Sequence, residues 1–240
     1  MEPHLPLQPP PDASAPPPGP EAIRSKFKMR LILALGGLCL GVFLFTLLDK
    51  VWTQHHYDNY YRTRAIKSTR KVHLALTDFD KDYGRFPDAT TAAAVKAATG
   101  TSLSLGNTFS NDLFLQLFAV GHKDEYSFSV FGWGKVRGAD DVIGTNANTL
   151  VPGECDLTYI AGLSSKDDPG TPLLIVPVIH GTWKFDPGPF GGKAVVLRLD
   201  GSASLETIDK HGDVVIGGMN FFDPRQPYWH GKAPDLKWPK

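Results

Sequence analysis

At 240 residues, with 25 basic and 25 acidic side chains, the chain carries no net charge, which removes the electrostatic footprint of a nucleic-acid binder or of a receptor for acidic substrates. Its length admits one membrane segment and one domain of about 150 residues with a core of its own. The two cysteines, Cys39 and Cys155, fall in segments of opposite character, so no disulfide between them is expected.

In chain order, the first 20 residues hold nine prolines and no run that could build a core, so residues 1–28 read as a disordered, Pro-rich tail. Residues 31–48 are almost wholly apolar, 18 positions that reach about 27 Å as a helix; with Met29 and Arg30 as flank, the span is 29–48. Arg24, Lys26, Lys28 and Arg30 stand directly before it, and the positive-inside rule then places the N-terminus in the cytoplasm and the rest outside. The expected topology is a single-pass protein of the inner membrane with a periplasmic C-terminal domain. No small-residue cleavage site follows the span, so the anchor is expected to stay. Within it, Gly37 and Gly41 form a small-xxx-small pair that lets two helices approach closely in lipid.

From Val51 to Tyr83 there is neither Gly nor Pro, so the span is expected to run on into a helical stalk and first head helix over 49–87. Ala65, Thr69, Val72, Leu76, Phe79 and Tyr83 recur at alternating spacings of four and three, the stripe of a helix face that packs on a head. Residues 53–64 show no stripe and read as crossing solvent or touching other helices. Arg62, Arg64, Lys67, Arg70 and Lys71 form a basic zone without an acid, followed by Asp78, Asp80 and Asp82; a staggered neighbour could pair the two zones. Gly84 supplies a left-handed stop, and Pro87 blocks resumption.

The head, 88–240, opens with a short helix at 90–98 closed by Gly100, then a helix at 113–120 capped from Ser110-Asn111-Asp112 and closed by Gly121. The pattern then turns to strands at 157–160, 173–179, 193–199, 202–208 and 214–216. Asp200-Gly201 between two apolar runs predicts a hairpin with a tight primed turn. Connections too short for crossover helices predict an antiparallel sheet and an α+β head.

Chemical motifs are sparse. The sequence has no Gly-x-Ser-x-Gly, Walker loop, His-Glu-x-x-His or Cys-x-x-Cys, and His55-His56 lacks the spacing of one metal-binding face. Cys155 with His180 or His211 is a base-rate pattern, so neither enzyme chemistry nor a catalytic or cofactor-binding residue is expected. An Asx-rich loop holding Asp140, Asp141, Asn146 and Asn148 offers oxygen ligands that suit calcium, against the simpler reading as a turn.

The run Ala75-Leu-Thr-Asp-Phe-Asp-Lys-Asp-Tyr-Gly-Arg-Phe-Pro87 resembles the end of the first helix in the type IV pilin and pseudopilin superfamily. Pro152-Gly-Glu-Cys155, Gly191-Gly-Lys-Ala-Val-Val-Leu-Arg198, and Phe222-Asp-Pro224 with Trp229 are similar to pilin-like proteins common in verrucomicrobial bacteria. The resemblance covers about 72–239. It implies a pilin-like head and a structural or assembly role in a type II secretion or type IV pilus-like machine. The implied partners are pilin-like or secretion-machine proteins, the membrane and further copies of the chain. It also implies a calcium in late loops, as major pseudopilins have.

One departure weighs on that role. Prepilins carry a Gly followed by Phe-Thr-Leu-Ile-Glu at the start of the apolar run, for peptidase cleavage and assembly. Here Phe45-Thr-Leu-Leu-Asp49 follows Leu44 instead, at the far end of the span. The alternative is therefore a stand-alone membrane-anchored binding or scaffold module. Intact mass of membrane-extracted protein is expected to include the Pro-rich stretch; a form starting near Val42 or Phe45 would overturn the retained anchor.

Overall fold

The computed structural model describes residues 20–131 and 138–240, so the Pro-rich stretch lies, up to residue 19, outside the described residues. The chain divides into two compact units, Met1–Thr53 and Gln54–Lys240. Helix α1 (Pro20–Tyr83) runs through the described part of the first and opens the second. In the first unit, Leu38, Phe43, Phe45 and Leu48 are exposed. Among the described residues this is the one helix long and apolar enough to cross a membrane, with a mean hydropathy of 1.6 over 18 residues, none of them buried inside the protein.

In the second unit the expected stripe is buried: Ala65, Thr69, Val72, Leu76 and Phe79 are at most 2% exposed, while Tyr83 is half-buried and stacks on Phe79 at 4.5 Å. The helix ends as Gly84 turns left-handed at φ 76° and returns its N–H to Asp80 O at 2.7 Å. Phe86 and Pro87 then tuck inward, with Phe86 N–H donating to Leu163 O at 3.1 Å and Tyr159 Oη donating to Pro87 O at 3.0 Å.

Helices α2 (Ala92–Thr99) and α3 (Ser110–Ala119) follow. The first starts two residues later than expected, because Asp88 Oδ1 already accepts from Thr90 N at 2.7 Å and Thr91 N at 3.2 Å, which makes 88–91 a turn. The second starts three residues earlier. Ser110-Asn111-Asp112 is its first turn rather than its cap, and Asp112 reaches back to Phe109 N at 3.1 Å, satisfying a donor that the helix itself leaves open.

Five strands form one antiparallel sheet in the order β4-β3-β2-β1-β7: β1 (Thr158–Ala161), β2 (Pro172–Val176), β3 (Lys193–Arg198), β4 (Ala203–Thr207) and β7 (Asp235–Lys237). A separate two-stranded ribbon joins β5 (Val215–Ile216) to β6 (Met219–Asn220). The β3-β4 turn differs from expectation. Gly201 is left-handed at φ 76° but Asp200 is not, and Gly201 N donates to Arg198 O at 2.9 Å while Arg198 N donates to Ser202 O at 2.9 Å. That is a three-residue connection closed by a left-handed glycine, not a two-residue primed turn.

The sheet is covered on both faces. One face, with Tyr159, Leu174, Val176, Val195 and Leu197, meets α1 and α3; the other, with Ile160, Ile175, Ala194 and Val196, meets Phe185, Phe221, Phe222 and Trp229. The sequence pattern predicted only the helical side. The second layer is irregular chain rich in aromatics, where Trp229 Nε1 donates to Phe221 O at 2.7 Å and supplies the partner a buried indole needs.

Gly84 is exposed with open space around it, so a substitution there tests the backbone alone. Gly84→Val is expected to cost about 1 to 2 kcal/mol through positive-φ strain, a fall of about 3 to 6 °C in Tm for the detergent-solubilised chain.

Candidate functional site

The polar part of α1 was expected to display its charges to neighbours, and the structure sorts them into two groups. Of residues 53–64, read from the sequence as crossing solvent or touching other helices, Asp58, Tyr61 and Arg62 dock on the head, while 54–57, 59, 60 and 63 are exposed. Arg62 Nε donates to Phe190 O at 2.7 Å and Nη2 to Gly191 O at 3.4 Å, Asp58 is buried, and Tyr61 packs on Phe131 with ring centroids 5.8 Å apart. No sequence periodicity signals this, because the partner lies 128 residues away. Farther along, Lys71 pairs with Asp124 at 3.3 Å and His73 Nε2 meets Leu199 O at 2.8 Å.

Among the acids, Asp80 is buried and accepts from the Ser165 hydroxyl, so it is not offered to a neighbour. Asp78 is exposed and pairs along the helix with Lys81 at 2.7 Å, holding that ammonium above its usual pKa through the hydrogen bond and its charge. What stays on the outer surface is Lys67, Arg70 and Asp82, with Arg64 half-buried; no described ion pair engages these four. Gly37 and Gly41, in the other unit, have open space around them.

The Asx-rich loop does not close into one cage. Asp141 Oδ1 accepts from Glu125 N at 2.8 Å, Asn146 Oδ1 from Ser104 N at 2.6 Å, and Asn148 Oδ1 from Thr145 N at 3.1 Å. These side chains brace three different backbone segments. Asp140 alone of the four meets other acids: one oxygen each from Glu125, Asp140 and Glu154 lies within 4.8 Å of the others. Glu125 Oε1 accepts from Leu150 N and Glu154 Oε2 from Val151 N, both at 2.7 Å. Burial pushes the Glu125 carboxyl up, with the charges of Glu154 and Asp140 adding to it and the Leu150 N–H opposing. Sequence reading missed both glutamates, since a single Glu in a loop reads as solvated until its burial is known.

A cleft of about 520 Å³ lies between the 162–171 loop and the C-terminal segment, with Trp229 and Thr171 among its walls and His230 paired to Asp168 at 3.2 Å. Cys155 is buried and donates to Leu157 O at 3.8 Å; His180 Nδ1 meets Pro239 O at 3.0 Å, and His211 is exposed. His55 Nε2 meets Asn59 on the same helix at 3.0 Å.

The docking of α1 on the 190–191 loop needs a glycine there. Gly191 is left-handed at φ 57°, and a Cβ at that position would collide with the Asp58 carboxylate and stand 2.7 Å from Arg62 Nη2. Gly191→Ala is therefore expected to lower stability by about 1 to 3 kcal/mol, read as a falling Tm; an unchanged Tm would mean that this contact is dispensable.

Comparison with protein-family models, characterised proteins and solved structures gives no match to the chain.

Proposed function

We propose that this chain is a membrane-anchored structural component of a type II secretion or type IV pilus-like machine, with its N-terminus in the cytoplasm and a pilin-like head in the periplasm. The observation that carries the reading is that one helix element, α1, bears both the apolar stretch fit for a bilayer and the stripe buried under the antiparallel sheet. A chain that needed only an anchor has no reason to build its anchor into its core, whereas a subunit that packs through helices does. The run from Ala75 to Pro87 supports the same reading, because its backbone turn at Gly84 ends α1 and the backbone groups of Phe86 and Pro87 fasten the reversal to Leu163 and to Tyr159 of the sheet. Arg24 and Lys28, exposed before the apolar stretch, agree with the proposed orientation.

Side-by-side packing would use the surface that the head leaves uncovered: Lys67 and Arg70 toward Asp78 and Asp82 of a neighbour, with Gly37 and Gly41 allowing close approach within the lipid. Asp80 drops out of this set because it is buried. Leu44 in place of the prepilin Gly favours the second reading, a stand-alone anchored scaffold, and the same experiment separates the two.

Lys67→Glu with Arg70→Glu is expected to reduce in-membrane crosslinking between protomers, or with a pilin-like partner, by about fivefold, since exposed ion pairs contribute about 0.2 to 1 kcal/mol each. Adding Asp78→Lys and Asp82→Lys is expected to restore part of it, the reciprocal behaviour of paired charges. Wild-type protein that gives no crosslink, or one indifferent to both changes, would favour the stand-alone scaffold.

A further inference from the structure

Val178 and Phe185 face each other in an antiparallel bridge, and the chain between them forms a tight turn: Ile179 N donates to Lys184 O at 2.8 Å and Thr182 N to Ile179 O at 3.0 Å. The turn is also fastened from the C-terminal segment, where Trp238 Nε1 donates to Thr182 O at 3.1 Å and His180 Nδ1 meets Pro239 O at 3.0 Å. Trp183 stands on this turn, 44% exposed, and meets the buried Phe222 ring edge-to-face with centroids 5.3 Å apart. Trp229 and Trp238 each donate their indole N–H to a carbonyl; that of Trp183 has no hydrogen-bond partner among the described residues. An indole held on a braced turn is a rigid apolar surface with one polar tip, and a ligand that uses it has little side-chain motion to freeze.

The ring forms one wall of an open depression of about 590 Å³, within the range of about 300 to 1,000 Å³ for small-molecule sites. Its rim is polar and the charges there cancel. Lys184 Nζ donates to both oxygens of Asp213 at 2.7 and 2.6 Å, and Asn220 Nδ2 donates to the same carboxylate at 2.8 Å. Arg225 Nη2 donates to Asp223 Oδ2 at 2.6 Å and Nε to Oδ1 at 3.0 Å. These pairs hold one another in place and still leave capacity, because the ammonium and guanidinium carry more hydrogens, and the carboxylates more lone pairs, than the bonds use.

We propose that this depression binds a neutral saccharide, with one pyranose ring laid on the Trp183 indole. A pyranose with equatorial hydroxyls has faces of C–H groups that suit an aromatic surface. Its edge of hydroxyls donates and accepts side by side, as the rim here does. A cation would find the indole face favourable but the ammonium and guanidinium against it, and an anion would meet two carboxylates, so the balanced rim selects a neutral ligand. A proline-rich peptide docks in grooves lined by aromatic rings, whereas Phe222 is buried here, leaving Trp183 as the one open ring among the described residues of the depression. None of these residues belongs to α1, so the site is independent of the assembly role and its test is separate from the crosslinking.

The test uses the full-length chain in a detergent without a sugar headgroup, titrated with cellopentaose, chitopentaose or decaproline and read by ligand-observed saturation-transfer NMR. The wild type is expected to bind at least one of the two sugars with a Kd of about 1 mM. The preferred sugar separates a plain hexose polymer from an N-acetylated glycan as the source of the ring. Trp183→Ala is expected to weaken binding about tenfold or more and Trp183→Phe only about threefold, since a smaller ring keeps part of the platform. Arg225→Ala, at an exposed position, is expected to weaken it about fivefold through the loss of one hydrogen bond to the sugar, which keeps the proposal testable should Trp183→Ala fail to fold. A wild type that binds neither sugar at about 10 mM, or that binds decaproline in preference to both, would overturn the proposal. Sugar binding unchanged in both Trp183→Ala and Arg225→Ala would overturn it as well.

Discussion

A helix that leaves an apolar stretch uncovered in one unit and buries its stripe in the other has to change its surroundings without changing its backbone, and the sheet makes this work. Val72, Leu76 and Phe79, at most 2% exposed, contribute about 5 to 9 kcal/mol of apolar burial between them, enough to fix which face of α1 the sheet must cover. Once that face is fixed, the strands need a hydrophobic side turned toward it. Tyr159, Leu174, Val176, Val195 and Leu197 supply one from alternate positions of neighbouring strands. Arg62 extends the same docking by just under one turn beyond Ala65 toward the N-terminus, through backbone carbonyls rather than side-chain burial.

The burial would be unspecific in register without a stop, and the residues from Tyr83 to Asp88 provide it. Gly84 reverses the chain, Arg85 lies 2.9 Å from Asp88, and Phe86 fills the core. Tyr159 Oη then donates to Pro87 O from β1, while Gln116 in α3 donates to Asp88 O at 2.8 Å and accepts from Thr91 Oγ1 at 2.6 Å. Two elements, β1 and α3, thus hold one reversal through buried side chains that have no water to fall back on. Complete burial drives the Tyr159 phenol far above its ordinary pKa, so it stays a neutral donor.

The parts of this arrangement that the sequence made legible are those written in local chemistry. The 3-4 spacing of the α1 stripe, Gly84 at its end, the Gly100 and Gly121 stops and the antiparallel β3-β4 hairpin all depend on residues a few positions apart. What stayed hidden depends on distant chain. The second face of the sheet is packed by Phe185, Phe221, Phe222 and Trp229, which sit in stretches dense in Gly, Pro and Asp that read as loops. Strand β7 is three residues long and exists because β1 offers it an edge at Tyr159, Ile160 and Ala161. The clustered acids at 125, 140 and 154 carry no spacing signature, since their closeness is set by the folding of the loops between them and not by any repeat. The Asx-rich loop misled for the complementary reason: Asp141, Asn146 and Asn148 were the visible oxygens, and each is engaged with backbone, as Asx residues in turns commonly are.

Covering both faces of the sheet also limits how a partner can engage the head through regular structure. Neither sheet face is open, so the remaining routes are the outer surface of α1 and the edges of the sheet. The β4 edge carries a half-exposed Leu205, and its neighbours Ser204 and Glu206 are tied to Arg198 of β3, which stiffens that edge. The outer surface of α1 is different in kind: Leu74 is 65% exposed, and Lys67 and Arg70 stand without a described ion-pair partner. An exposed leucine flanked by basic side chains on a helix already rigid from packing loses little entropy on association. Partner contact at this surface therefore costs less ordering than contact through the loops, and that asymmetry is the physical ground on which the proposed assembly role of α1 rests.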